Sequence, residues 1–191
     1  METINHKNFF YPPGGILIWI IIVIEVVTFC AGIIAFAWQS NLSPEVFEVS
    51  QSTLNTKIGL VNTLLLLTSG FFVAESVRYL KIGDRLKSQK WMSGTMLFGV
   101  GFLILKGFEY VDKLQHGFDL THDGFFTFYW LLTGFHFLHV LVGLVILLVL
   151  TLEMRKGVYH ENNFLDIETG AAFWHMCDII WLLLFPFLYL L

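Results

Sequence analysis

Six side chains able to carry a proton or hold a metal stand in or at the head of long apolar runs: Glu25, His136, His139, Glu168, His175 and Asp178. A charge at the bilayer centre costs about 2.5–3.5 kcal/mol on insertion scales, so residues of this kind usually face a protein interior and have a role. His136 and His139 are three apart, as are His175 and Asp178, which puts each pair on one helical face. Glu168 lies two turns before His175 on the same face. Two histidines facing a histidine and an aspartate on an antiparallel helix have the donor types of a metal site in a helical bundle. The same groups can instead form an interhelical hydrogen-bond network. Carboxylate-bridged bundles use Glu-x-x-His pairs, and none lies inside an apolar run here, which favours the network.

Glu25 stands about 15 Å into its run, with no basic residue in that run to pair with. Thr28, Gly32 and Gln39 share its face. Two readings follow: a proton-linked or lipid-contacting carboxyl, or a structural carboxyl bonded to a neighbouring helix. Asn62 and Ser69 share a face of the second run and are expected to bond across helices. Glu109 and Tyr110 close the third run and read as interface or anchor residues, with Lys106 snorkelling from one turn earlier. Glu75 and Arg78 have the spacing of a surface ion pair.

The elements that position these groups follow from composition. Of 191 residues, 56% are apolar and only 14% charged, well below the roughly 25% of soluble domains. A transmembrane helix needs about 20 mostly apolar residues. Five runs qualify, at about 16–38, 58–77, 92–108, 125–150 and 170–191, which predicts an all-α, integral membrane bundle of five helices in one domain covering 1–191. The first run is too long for a signal h-region, its leading segment is weakly basic, and the chain begins at Met1, so it is expected to stay as a span. Lys7, Arg78, Lys81, Arg85, Lys87, Lys90, Arg155 and Lys156 fall on one side of the runs, while Lys57, Lys106 and Lys113 fall on the other. The positive-inside rule then places the N-terminus in the cytoplasm and the C-terminus outside. Ala31 and Ala35, Gly94, Gly99, Gly101, Gly134 and Gly143 are expected to let helices approach closely. A net charge of −4 gives no polybasic field for nucleic acid. Cys30 and Cys177 are too few for a thiolate metal site or disulfide framework. The sequence carries no phosphate loop, haem-attachment motif, nucleophile elbow or zincin motif.

Two long stretches carry a family resemblance. Thr133-Gly134-Phe135-His136-Phe137-Leu138-His139-Val140, followed by Gly143, resembles the T-G-F/T-H-x-x-H-V-x-x-G signature of cytochrome oxidase subunit III. Glu168-Thr169-Gly170, with Trp174-His175, Asp178 and Trp181, resembles that family's E-x-G-x-x-x-W-H-x-x-D-x-x-W block. Glu25, the Asn62-Thr63 pair with Ser69, and Glu109-Tyr110 match weaker family positions. The resemblance implies a five-helix subunit beside the catalytic haem–copper subunit of a respiratory oxidase, in a bacterial cytoplasmic membrane. It implies no cofactor in this chain, with haem and copper in the partner subunit and phospholipid as an associated molecule. It implies that Glu25 is the family's buried carboxyl, and that His136, His139, Glu168, His175, Asp178 and Trp181 form a structural polar network. The two helices that open the family's seven-helix form have no counterpart here. Five-helix members occur in quinol oxidases and some cytochrome c oxidases, and a short homologue accompanies nitric oxide reductase gene sets.

Overall fold

The computed structural model describes residues 12–190, so Lys7 lies outside the described residues. Six helices follow in order: α1 Ile16–Leu42, α2 Pro44–Ser52, α3 Thr56–Lys81, α4 Arg85–Gln115, α5 Gly124–Lys156 and α6 Leu165–Tyr189. All but α2 are long and apolar enough to cross a membrane. These five correspond to the five apolar runs, but they extend well past them. The third run suggests a helix over 92–108, whereas α4 has 31 residues, about 46 Å. Its polar flanks stay helical because they are capped and packed. The Asp84 side chain accepts from the Lys87 N–H at 3.1 Å, and Ser88 is fully buried, its carbonyl accepting from Ser76 Oγ at 2.9 Å. Asn55 and Asp123 cap α3 and α5 in the same way. α5 stops at Gly157, whose φ of 88° is a left-handed conformation that favours glycine.

The short α2 is not apparent from the apolar runs, because it is too short and too polar to span. It lies across one end of the bundle. Phe47 is its buried anchor, with ring centroids 5.2 Å from Phe36 and 5.8 Å from Phe125. Ser50 Oγ donates to Asp123 Oδ2 at 2.5 Å, and Gln51 Nε2 donates to the carbonyls of Phe187 and Leu188. The other end is basic. Arg78, Lys81, Arg85, Lys87, Lys90, Arg155 and Lys156 stand there together, with the Arg85 guanidinium against Gly157 and Gln89 Nε2 donating to the Met154 carbonyl at 3.2 Å.

α6 occupies the centre, against α1, α3 and α5. Its Trp174 is fully buried. A Cβ added at Gly99 in α4 would lie 2.7 Å from the Trp174 ring, and one at Gly143 in α5 would lie 2.9 Å from it. The indole therefore fills a slot that these two glycines leave open, as their expected packing role requires. Ala31 and Ala35 differ from expectation, for both face outward. We predict that Gly143→Val destabilises the protein by roughly 1–3 kcal/mol, because Trp174 has no room to retreat. Denaturation in mixed micelles, followed by tryptophan fluorescence, measures it.

Candidate functional site

The buried polar groups form separate clusters rather than one centre. The first joins α1 to α5. His139 Nδ1 lies 2.8 Å from the Phe135 carbonyl oxygen. A carbonyl only accepts, so Nδ1 carries the hydrogen and Nε2 is left facing Glu25 Oε2 at 3.3 Å. The contact is a close polar pairing of a carboxyl and an imidazole across the seam between α1 and α5. The pair is half-buried and sheltered by the rings of Phe29 and Phe135, centred 5.8 and 4.5 Å from the imidazole. Glu25 thus finds across the helix seam the partner its own run lacks.

The second cluster is on α6. His175 Nδ1 stands 3.1 Å from Asp178 Oδ2. Asp178 is buried and presses on α3 at Gly70, where any Cβ would collide with Oδ2. Nothing in the pattern around Gly70 signals this contact. At the basic end, Glu168 forms an ion pair with Lys81 of α3, and Arg78 pairs with Glu75 as its spacing suggests.

His136 joins neither cluster. It is fully buried, and neither ring nitrogen has a hydrogen-bond partner. Its ring instead stacks on Trp181 at 5.3 Å and meets Phe102 edge-on at 5.8 Å. Trp181 Nε1 donates to Thr63 Oγ1, and Trp174 Nε1 to Ser69 Oγ, both at 2.9 Å. Ser69 therefore bonds across helices as expected. Asn62 does not: it is fully buried and both its amide atoms lack a partner.

Glu109 and Lys106 correct the anchor reading. They do not reach a surface. Lys106 is 1% exposed and Glu109 5%, and their side chains meet at 2.8 Å inside the bundle. Tyr129 OH and Tyr189 OH lie 2.5 and 2.6 Å from the same Glu109 Oε1. Tyr110, its ring tilted over Trp130, donates to Thr133 Oγ1 at 2.9 Å. The physical reason is that α4 continues to Gln115, well past the apolar run, so both residues stand inside the bundle, and a glutamate three residues on neutralises the lysine locally without snorkelling. That Lys-x-x-Glu spacing is the signal in the sequence. Tyr129 and Tyr189 carry no comparable signal.

The four groups that would have made a metal site are thus divided. His139 turns to α1, His136 sits among aromatic rings, and His175 pairs with Asp178. Among the described residues, no three His, Cys, Asp or Glu side chains come together as ligands.

Sequence comparison places this arrangement in a family. The family model for cytochrome c oxidase subunit III matches residues 13–191. The chain belongs to the cytochrome c oxidase subunit III family. It is 32% identical over 166 residues to cytochrome c oxidase subunit 3 of Rhipicephalus sanguineus, covering 82% of this chain and 63% of that one. It is 32% identical over 156 residues to the protein of the same name from Synechocystis sp., covering 81% and 62%. With that of Thermostichus vulcanus it shares 33% identity over 132 residues, covering 69% and 64%. The chain therefore spans a little under two thirds of the length of these curated relatives. The subunit III match includes every cluster described above, and its long apolar helices make the chain an integral membrane protein.

The Glu25–His139 geometry makes a clear prediction. Glu25→Gln keeps a side-chain donor for Nε2 and should leave stability within about 1 kcal/mol of the parent. Glu25→Leu strands the imidazole nitrogen and should cost roughly 1–3 kcal/mol. Unfolding titrations of the two variants in the same micelles check the difference.

Proposed function

We propose that this protein is a subunit III-like component of a haem–copper respiratory oxidase in a bacterial cytoplasmic membrane, holding no redox centre itself and supporting assembly, durability and proton uptake of the catalytic subunit. Haem and copper belong, on this reading, to that partner. The basic end of the bundle faces the cytoplasm. The observation that carries the reading is how the buried charges are used. Glu25 with His139 joins α1 to α5, and Glu168 with Lys81 joins α6 to α3. Asp178 pairs with His175 within α6, and Glu109 with Lys106 within α4, the latter pair bonding across to Tyr129 of α5 and Tyr189 of α6. Groups spent on one another in this way hold the bundle together. Family membership supplies the complex in which such a bundle is useful.

Glu25 is the residue assigned to proton-linked behaviour, because its carboxyl faces an imidazole at 3.3 Å in the middle of a span. His136, His139, Glu168, His175, Asp178 and Trp181 are assigned to holding α5 and α6 in place. Bound phospholipid fits the same reading. A groove of about 380 Å³ runs between α1, α3 and α6, with Trp19, Ala74, Val77 and Ala171 on its walls and Lys81 and Glu168 at its charged end.

The test is to extract the tagged protein from its own membrane in mild detergent and identify its companions. We expect a haem–copper catalytic subunit to co-purify, and the separated chain to lack visible absorption and stoichiometric iron or copper. Nitric oxide reductase subunits as companions would move the protein to that accessory role. Stoichiometric metal lost in His139→Ala would make it a metalloprotein in its own right, and ion flux by the chain alone in liposomes would make it a transporter. In the intact complex, Glu25→Gln should assemble yet change the pH dependence or lifetime of turnover. Unchanged values would remove Glu25 from the proton-linked role.

A further inference from the structure

Lys106 is the most deeply buried cation described in this protein. Its ammonium nitrogen has three hydrogens and three acceptors: Glu109 Oε1 at 2.8 Å, Tyr129 OH at 3.1 Å and Tyr189 OH at 2.6 Å. It also lies close to four aromatic rings, 4.7 Å from the centre of Tyr129, 5.2 Å from those of Tyr110 and Tyr189, and 5.4 Å from that of Trp181. Aromatic rings around a carboxylate-paired cation are the construction that recognises ammonium groups. Here the chain's own lysine occupies it.

The cage is assembled from α4, α5 and α6, and Tyr189 is the last helical residue of α6. The same terminal turn is held from two other sides. Gln51 of α2 donates to the Phe187 and Leu188 carbonyls, and Thr56 Oγ1 of α3 donates to the Tyr189 carbonyl at 3.4 Å. These bonds satisfy carbonyls that the helix end leaves without partners. Without Tyr189 the ammonium loses its shortest hydrogen bond and one wall of its cage, yet remains deep among helices, where an incompletely paired charge is costly.

We propose that Lys106 is the key of an internal clasp, an ammonium site that closes only when the last turn of α6 docks. Placing that turn and sheltering the buried charge are then a single event. This makes the end of α6 a conformational control point: when it is undocked, the buried charge is incompletely paired and α2 loses the two hydrogen bonds that Gln51 makes to it.

Hydrogen–deuterium exchange of the full-length protein in micelles tests this. In Lys106→Met, which keeps an apolar stem, the last turn of α6 and α2 should exchange at least about tenfold faster, while the middle of α3 keeps its protection. Lys106→Ala should lose roughly a hundredfold in its folding equilibrium, and n-propylammonium should restore it where propan-1-ol does not. Tyr189→Phe removes one hydroxyl and should speed exchange of the same turn by about tenfold; it decides the matter if Lys106→Ala does not fold. Unchanged exchange in Lys106→Met and Tyr189→Phe would overturn the clasp. So would equal rescue by the alcohol, which would reduce Lys106 to a space-filling role.

Discussion

The constraint that governs this fold is that α6 must lie at the centre of a bundle in which hydrocarbon surrounds the helices and also resembles their side chains. Lipid offers no hydrophobic drive for one apolar helix to choose another, so packing and interhelical hydrogen bonds decide. α6 meets it with two tryptophans seven residues apart. Trp174 enters the slot left by Gly99 and Gly143 and donates to Ser69. Trp181 sits between Phe102 and His136 and donates to Thr63. Each indole presents a large flat surface and one N–H that must be satisfied, so each specifies depth and rotation together. Once both are seated, Asp178 meets α3 at Gly70, where an added Cβ would collide with its carboxyl. The rest of α6's polar face takes its place from these two anchors.

Charge follows the same logic at different depths. Near the basic end, Glu75–Arg78, Asp84–Lys87 and Glu153–Lys156 are exposed pairs of neighbouring residues. Water screens them, and they contribute little to stability. Glu168–Lys81 is better sheltered and joins α6 to α3. Lys106–Glu109 is fully enclosed. A buried pair of this kind is a weak source of net stability, because desolvation offsets the attraction. What it contributes is specificity, since either partner left alone inside the bundle would be very unfavourable.

How much of this was legible in the sequence depended on the range of the interaction. The five long helices could be read from apolar runs, because bilayer thickness sets their length. Several helix ends could not, because Asp84 caps a segment whose own composition is polar and α5 continues past its apolar run to Gly157. The Glu75–Arg78 pair could be read from local spacing. The grouping of His136, His139, His175 and Asp178 could not. Spacing along a helix gives a face, but the rotation of that face depends on neighbours, and α1 supplies the carboxyl that His139 faces. Lys106 shows the same limit from the other side. Its place near the end of the apolar run suggests snorkelling, whereas Tyr129 and Tyr189, which make burial tolerable, stand 23 and 83 positions away. The subunit III signature marks most of these residues without saying which of them touch.

α1 shows what a single polar contact can accomplish in this setting. It is the least buried of the five long helices, and Leu17, Ile20, Val23, Ile24, Val27 and Ile34 all point away from the bundle. Against lipid tails, those side chains give α1 almost no preference for one rotation over another. Phe29 supplies shape by packing on Phe135 and against both His136 and His139. Near its start, Gly14 offers a carbonyl to Thr169 at 2.8 Å. Between these lies Glu25, whose carboxyl must meet His139 or stand unpaired in hydrocarbon. Turning α1 by one residue, about 100°, would break that contact while leaving its apolar surface nearly unchanged. That carboxyl therefore helps to orient the helix that carries it, by fixing which side of α1 faces α5.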